Sequence, residues 1–375
     1  MLTQRNVPFF NYPALYKKDE AGLLAVVTDV LSRGAYILQR DLMELEQNLQ
    51  DFLGVKHVIG VADGTNALLL SLWANDVGAG DEVILPSHTY VATAAAVHYA
   101  GATPVPVECG IDHMIDPESV RAAITPRTKV IMPVQLNGRT ADMDAIRAIA
   151  EAHGLMIIED AAQALGSRWK GQAAGSFGRA GTFSFYPAKL MGCFGDGGAV
   201  ITNHDDVATR VRLLRDHGRD EDGEVVTWGT NSRLDNLQAA VLGFRLKTYT
   251  QDIARRREIA QRYQDGLGDV AELVLPPAPV DNGDHFDVYQ NYEIEAERRD
   301  DLKAYLRERG IGTIVQFGGK SIHQFPLGFE GVSLPFTERL YTRMLLLPLH
   351  VALSNADVDH VIAGVRGFYG ATGGI

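Results

Sequence analysis

The stretch HVIGVADGTNALLLSLWANDVGAGDEVILPSHTYVATAAAVHYAG (His57–Gly101) decides the fold. HVIGVA (57–62) is a short apolar run that breaks at Asp63-Gly64. TNALLLSLWAN (65–75) follows, apolar nearly all round and so a buried helix. EVILPS (82–87) and TYVATAAAVHYAG (89–101) repeat the strand-then-helix pairing. Short apolar strands alternating with helices imply a largely parallel sheet covered on both faces. TPVPVE, KVIMPVQ, LMIIED, GTFSFYP and GAVITN supply further strands, with helical stretches such as ADMDAIRAIAEAHG (141–154) between them. Residues 1–246 therefore read as an N-terminal segment and a large α/β domain.

The stretch 236–267 (NLQAAVLGFRLKTYTQDIARRREIAQRYQDGL) reads as one long helical bridge out of that domain, with RRREIAQR (255–262) as a solvated face. PPAPVDNGD (276–284) is a loop. A strand in VYQNYEIE (288–295), a helix in RDDLKAYLRERG (299–310), another strand and a final helix predict a smaller α+β domain over 247–375.

Composition narrows the function. A net charge of −12 lacks the basic face that nucleic acid requires. Two cysteines, Cys109 and Cys193, give no disulfide framework and fit a reducing cytoplasm. The N-terminus has no apolar stretch of signal-peptide length. No run of about 18 apolar residues occurs, so no membrane span is expected. The eleven histidines show no metal-ligand spacing such as H-E-x-x-H, so no metal is expected.

Open α/β sheets bind ligands at the carboxyl ends of their strands, and the polar residues there carry the chemistry. ADGTNA places the N–H groups of Gly64 and Thr65, and the Thr65 hydroxyl, at a helix start, a ready anion site. LMIIED drives an apolar strand into Glu159-Asp160. Such a carboxylate caps a helix or, if buried, needs a cation. FSFYPAKLMGCFGDGGAV (183–200) ends a strand on Lys189, flanked by Pro187, Met191 and Phe194. A lysine in apolar surroundings loses proton affinity, and a neutral amine is a nucleophile. Neighbouring strands can bring Asp160 and Lys189 together, as a plain ion pair or around a cofactor. Pyridoxal 5′-phosphate (PLP) needs a phosphate cradle, a carboxylate for its ring nitrogen and an amine for its aldehyde. Tyr90 offers a flat face for the ring, or is a core aromatic. Ser184 adds a hydroxyl to the phosphate, or bonds a neighbouring strand. The glycines of GDGG (195–198) let backbone pass close to the lysine.

Together, ADGTNALLLSL, GDEVILPSHTYVATAAAV, IIEDAAQALGS, GTFSFYPAKLMGCFGDGGAVITN, RLLRDHG, NSRLDNLQAAVL and LKAYLRERGIGT cover most of the chain. They resemble the PLP-dependent nucleotide-sugar aminotransferases of the DegT/StrS family, of the fold-type I aminotransferase architecture. The resemblance implies that Lys189 bonds to the cofactor and that Asp160 pairs with its ring nitrogen. It implies that Tyr90 stacks on the ring and that Gln163 lies near the 3-oxygen. Gly64, Thr65 and Ser184 would hold the phosphate, with Asn231 reaching in from the second subunit of a homodimer that shares its sites. It implies a cytoplasmic enzyme that moves an amino group from L-glutamate to a nucleotide-linked 3-keto- or 4-keto-6-deoxyhexose, for O-antigen or polysaccharide synthesis. His88 and His323 are candidate substrate contacts or, as lone histidines more often are, structural; Lys320 and Arg219 are candidate contacts for the nucleotide diphosphate. The chain departs from the family pattern at Leu190-Met191, at Gln135 and Asn137, and across QFGGKSIHQF (316–325). Two alternatives differ in kind. The related sugar dehydratases carry histidine at the lysine position, and Lys189 argues against them. A PLP-binding regulator would need a DNA-binding element, and no added helix-turn-helix segment is evident.

Overall fold

The computed structural model describes residues 5–370. Seven strands form the main sheet: β1 (His57–Val61), β2 (Glu82–Pro86), β3 (Thr103–Val107), β4 (Thr128–Ile131), β5 (Met156–Asp160), β6 (Ala180–Ser184) and β7 (Gly198–Thr202). Their order across the sheet is β1-β7-β6-β5-β4-β2-β3. β7 runs antiparallel to both of its neighbours, and every other pair is parallel.

Alternation along each strand sorts its side chains between two packed faces. Val58 and Ile201 join Phe183 and the leucine stripe Leu42, Leu45, Leu49 and Leu53 on one side. Ile59 and Val200 join Ile158, Val83 and the helix Gly64–Ala74 on the other. β2 and β7 are buried along their whole length, as the apolar runs predict. The segments after β1, β2, β5 and β6 leave the sheet at the same edge, where β7 begins. The register sets Val61 and Ser184 opposite Gly198, and Asp160 opposite Thr182.

A second core forms around the helix Tyr249–Leu267 and a small antiparallel sheet of Leu273–Val274, Tyr292–Ala296 and Met344–Leu347. Val7 joins this core from the other end of the chain and bridges to Ile311.

Three local expectations are corrected. The long helical bridge is two helices, Asn236–Leu246 and Tyr249–Leu267. Past the break at Lys247-Thr248, Tyr249 is buried with its hydroxyl on the Leu165 carbonyl at 2.7 Å. The arginine run is not a solvated face, because Arg256 and Arg257 are buried. Arg256 donates to the carbonyls of Tyr289, Gln290 and Leu349, and Arg257 to those of Asp287 and Val280. Those carbonyls lie outside sheet ladders, and buried backbone acceptors need donors. Burial lowers the Arg256 pKa to about 10. Finally, VYQNYEIE forms strand only from Tyr292. Tyr289 takes φ +52°, and the stretch before the strand crosses to the Asn137-Gly138 turn, where Val288 N–H bonds the Gly138 carbonyl.

Candidate active site

Asp160 is the last residue of β5 and is 5% exposed. Its Oδ2 accepts from the Thr93 hydroxyl at 2.8 Å and its Oδ1 from the Ala162 N–H at 3.1 Å. Burial raises its pKa, against the pull of these hydrogen bonds and of the Lys189 charge. The neighbouring Glu159 points to the opposite face, as strand alternation requires. It accepts from the Gln135 side chain and from the Gly175 and Phe177 amides, and burial raises its pKa to about 7. Gln135 is thus a brace for a core carboxylate.

Lys189 lies in the turn after β6, its N–H on the Tyr186 carbonyl at 2.8 Å. Gln290 clamps the turn on both sides of it. The side-chain oxygen of Gln290 accepts from Leu190 N–H at 2.7 Å, and its amide donates to the Ala188 carbonyl at 2.8 Å. The Lys189 amine makes no hydrogen bond or ion pair among the described residues. Burial pulls its pKa down to about 8, against the favourable charge of Asp160. A cleft of about 60 Å³ reaches the lysine between the N-terminal segment and the second core, bordered by Phe9, Tyr12, Asn291 and Leu349.

Beside them the helix Gly64–Ala74 begins. Asp63 caps it by accepting from Asn66 N–H at 2.8 Å, and the Gly64 and Thr65 amides have no partner among the described residues. A Cβ on Gly64 would lie 2.9 Å from the Ser184 Cβ, so the Ser184 hydroxyl sits against this turn. A Cβ on Gly198 would lie 2.5 Å from the Asp63 carbonyl. The close approach at the end of GDGG is therefore to the Asp63-Gly64 turn, where sequence reading expected the lysine.

Tyr90 stands at the N-cap of the helix Val91–Tyr99, 57% exposed, its ring 5.9 Å from that of Phe317. Gln163 accepts from Asn137 N–H at 2.9 Å. Asn137 Oδ1 in turn accepts from Asn291 at 2.8 Å and Gln316 at 2.7 Å. Two of the departures from the family pattern, Asn137 and Gln316, thus meet in one network. Sequence reading missed Thr93, Asn291 and Gln290. Thr93 carried one faint signal, a hydroxyl in an apolar helix four residues after Thr89, to which it bonds at 2.7 Å.

The other candidates lie apart. His88 is buried, with Nδ1 on Tyr341 and Nε2 on Glu293. His323 is buried between Ser87 and Glu338. Neither ring has a nitrogen free for a substrate. Lys320 is exposed. Arg219 and Asn231 are exposed on an arm closed by the bridges Asp216–Asn231 and Arg219–Val225.

A mostly parallel sheet that presents a partly neutralised lysine to a buried carboxylate at its carboxyl edge defines a fold-type I aminotransferase. The chain belongs to the DegT/DnrJ/EryC1/StrS aminotransferase family, whose model matches residues 17–366. It is 42% identical over 366 residues to the dTDP-3-amino-3,4,6-trideoxy-alpha-D-glucose transaminase of Streptomyces venezuelae, covering 96% of this chain and 95% of that protein. It is 40% identical over 344 residues to the UDP-2-acetamido-2-deoxy-3-oxo-D-glucuronate aminotransferase of Pseudomonas aeruginosa, covering 91% and 94%. The crystal structure of S. venezuelae DesV superposes with a TM-score of 0.92 at 41% identity, over 97% of this chain and 98% of that one. The cofactor is PLP. The donor set fits it: a carboxylate for a pyridine nitrogen, an amine for an aldehyde, and a glycine-lined helix start with free amides for a phosphate.

Proposed function

We propose that this PLP-dependent enzyme aminates the keto carbon of a nucleotide-linked 3-keto-6-deoxyhexose, with L-glutamate as amino donor, to supply an amino-sugar for a polysaccharide such as O-antigen. The observation that carries the reading is the Lys189 amine, held to about 8 by burial beside Asp160. The choice of C3 rests on the printed activities of the two relatives, which place the amino or oxo group at C3. Their nucleotides differ, dTDP in one and UDP in the other.

When bound, the cofactor supplies an aldehyde to carry the amino group and a ring to withdraw electrons. Asp160 would hold a proton on the ring nitrogen. The Gly64 and Thr65 amides and the Thr65 and Ser184 hydroxyls would take the phosphate, with Tyr90 on the ring face and Gln163 near the 3-oxygen. Lys189, once free, is the base that takes the proton from the donor's α-carbon. Lysine here, where dehydratases carry histidine, supports amino transfer.

The enzyme would work in the cytoplasm as a homodimer with shared sites. Supporting this, the returning limb of the arm exposes Val225, Val226 and Trp228, the last at 95%, apolar side chains that water disfavours. Asn231, at the base of the arm, would reach the partner's phosphate site.

The test is transfer from 15N-glutamate to nucleotide-linked 3-keto- and 4-keto-6-deoxyhexoses, followed by mass spectrometry. Label in the 3-amino product is expected. Label only in a 4-amino product would move the site of amination. Loss of a hydroxyl without label would mean a dehydratase.

A further inference from the structure

Away from the cofactor cradle, three side chains from three segments converge. His88 comes from the loop after β2, His113 from the loop after β3, and Glu293 from the strand Tyr292–Ala296 of the small sheet. Their ligand atoms all lie within 4.8 Å of one another. His88 Nε2 is 3.3 Å and His113 Nδ1 2.7 Å from Glu293 Oε1. Tetrahedral ligands of zinc, each about 2.0–2.1 Å from the metal, stand about 3.3 Å apart.

We propose that His88 Nε2, His113 Nδ1 and the Glu293 carboxylate bind one divalent transition-metal ion, zinc on the chemistry of two imidazoles and a carboxylate. Two further observations point there. Each imidazole is held from behind through its other nitrogen: His88 Nδ1 by the Tyr341 hydroxyl at 3.0 Å, His113 Nε2 by Glu295 at 3.3 Å. Glu295 is itself held by Arg343 at 3.0 Å. Histidine ligands are oriented by outer carboxylates and hydroxyls of this kind. Moreover, Glu293 is 2% exposed, yet its Oε2 has no hydrogen-bond partner among the described residues. A proton shared between His113 and Oε1 leaves that oxygen bare, and a cation satisfies it. His113 and Glu293 also border a cavity of about 280 Å³, which gives an ion a way in and a side on which water can complete the coordination.

The ion would be structural. It would tie two loops of the main sheet to the central strand of the small sheet. His88 is two residues from Tyr90, and Glu293 two from Asn291, so the clasp would stiffen one wall of the cofactor site.

Metal content tests this. Holoenzyme freed of metal with dipicolinate is titrated with Zn²⁺, and bound zinc is measured by plasma mass spectrometry. One tightly held equivalent per chain is expected. His113→Asn and Glu293→Gln should lose it while circular dichroism and bound cofactor match the parent. Glu295→Gln should keep the stoichiometry and weaken affinity about 10- to 100-fold. A parent that takes up no zinc, or folded variants that bind as the parent does, would overturn the site. Should the variants not fold, anomalous scattering from zinc-soaked crystals of the parent decides. A peak among the three residues supports the site, and a peak elsewhere or none overturns it.

Discussion

An amine that attacks an aldehyde near neutral pH must first shed its proton, and burial does this for Lys189. Its pKa of about 8 lies well below the ordinary 10.5. The neutral fraction grows as pH rises, so cofactor-free protein should recombine with PLP faster at higher pH and level off above about 8. Asp160 favours the ammonium, so Asp160→Asn should move that midpoint lower. Stopped-flow absorbance across the pH range measures both, and a midpoint near 10.5 in the parent would contradict the burial argument. Thr93 serves the carboxylate in turn. Thr93→Val strips the hydrogen bond from Asp160 Oδ2 at nearly constant shape, and should cost about 1–3 kcal/mol in urea unfolding. At this scale the sequence exposed the charged pair and hid its supports. Lys189 and Asp160 stand out because charge at an apolar strand end is costly. Thr93 and Gln290 are ordinary polar residues whose partners lie 67 and 100 positions away.

The elements matter here through how closely they approach one another. Gly138 has φ +88°, and a Cβ on it would lie 2.5 Å from Gln290 N. Gly138→Ala should therefore push away the residue that clamps the lysine turn. We expect a loss of about 1–3 kcal/mol together with weaker cofactor retention. A parent-like urea midpoint with parent-like PLP affinity would show that the clamp tolerates displacement. Strands and helices of the main sheet were legible because short apolar runs and longer helical stretches alternate there, separated by glycine and polar breaks. The failures have physical causes. The helical period runs on through 236–267, and nothing local marks the turn at Lys247-Thr248 that lets Tyr249 reach Leu165. Arg256 and Arg257 look solvated because charge is the local signal, whereas their partners are carbonyls from other segments. The partners of His88 and His323 are hidden for the same reason: a histidine beside a cofactor loop shows its chemistry but not its neighbours.

For the whole molecule, the arm of residues 216–231 is the test of assembly. Trp228→Ser should weaken self-association, read as slower-to-smaller elution with dilution. Complementation asks whether the sites are shared. Lys189→Ala is mixed with an inactive Asn231→Ala, Arg233→Ala double variant and the subunits are allowed to exchange. In a mixed dimer one site carries both lesions and the other none, so about a quarter of parent sites should return. Proven exchange with no recovered activity would place each site within one subunit. Arg233 pairs with Asp216 at 2.8 Å in its own chain, so the Asn231→Ala single variant separates contact with the partner from loss of the arm's shape. The claim beneath all of these is that one lysine carries the cofactor. Borohydride reduction of the purified holoenzyme fixes the cofactor to its lysine, and peptide mapping by mass spectrometry finds it. The account predicts a phosphopyridoxyl group on the peptide that contains Lys189. The same group on a different lysine, or on none, would contradict it.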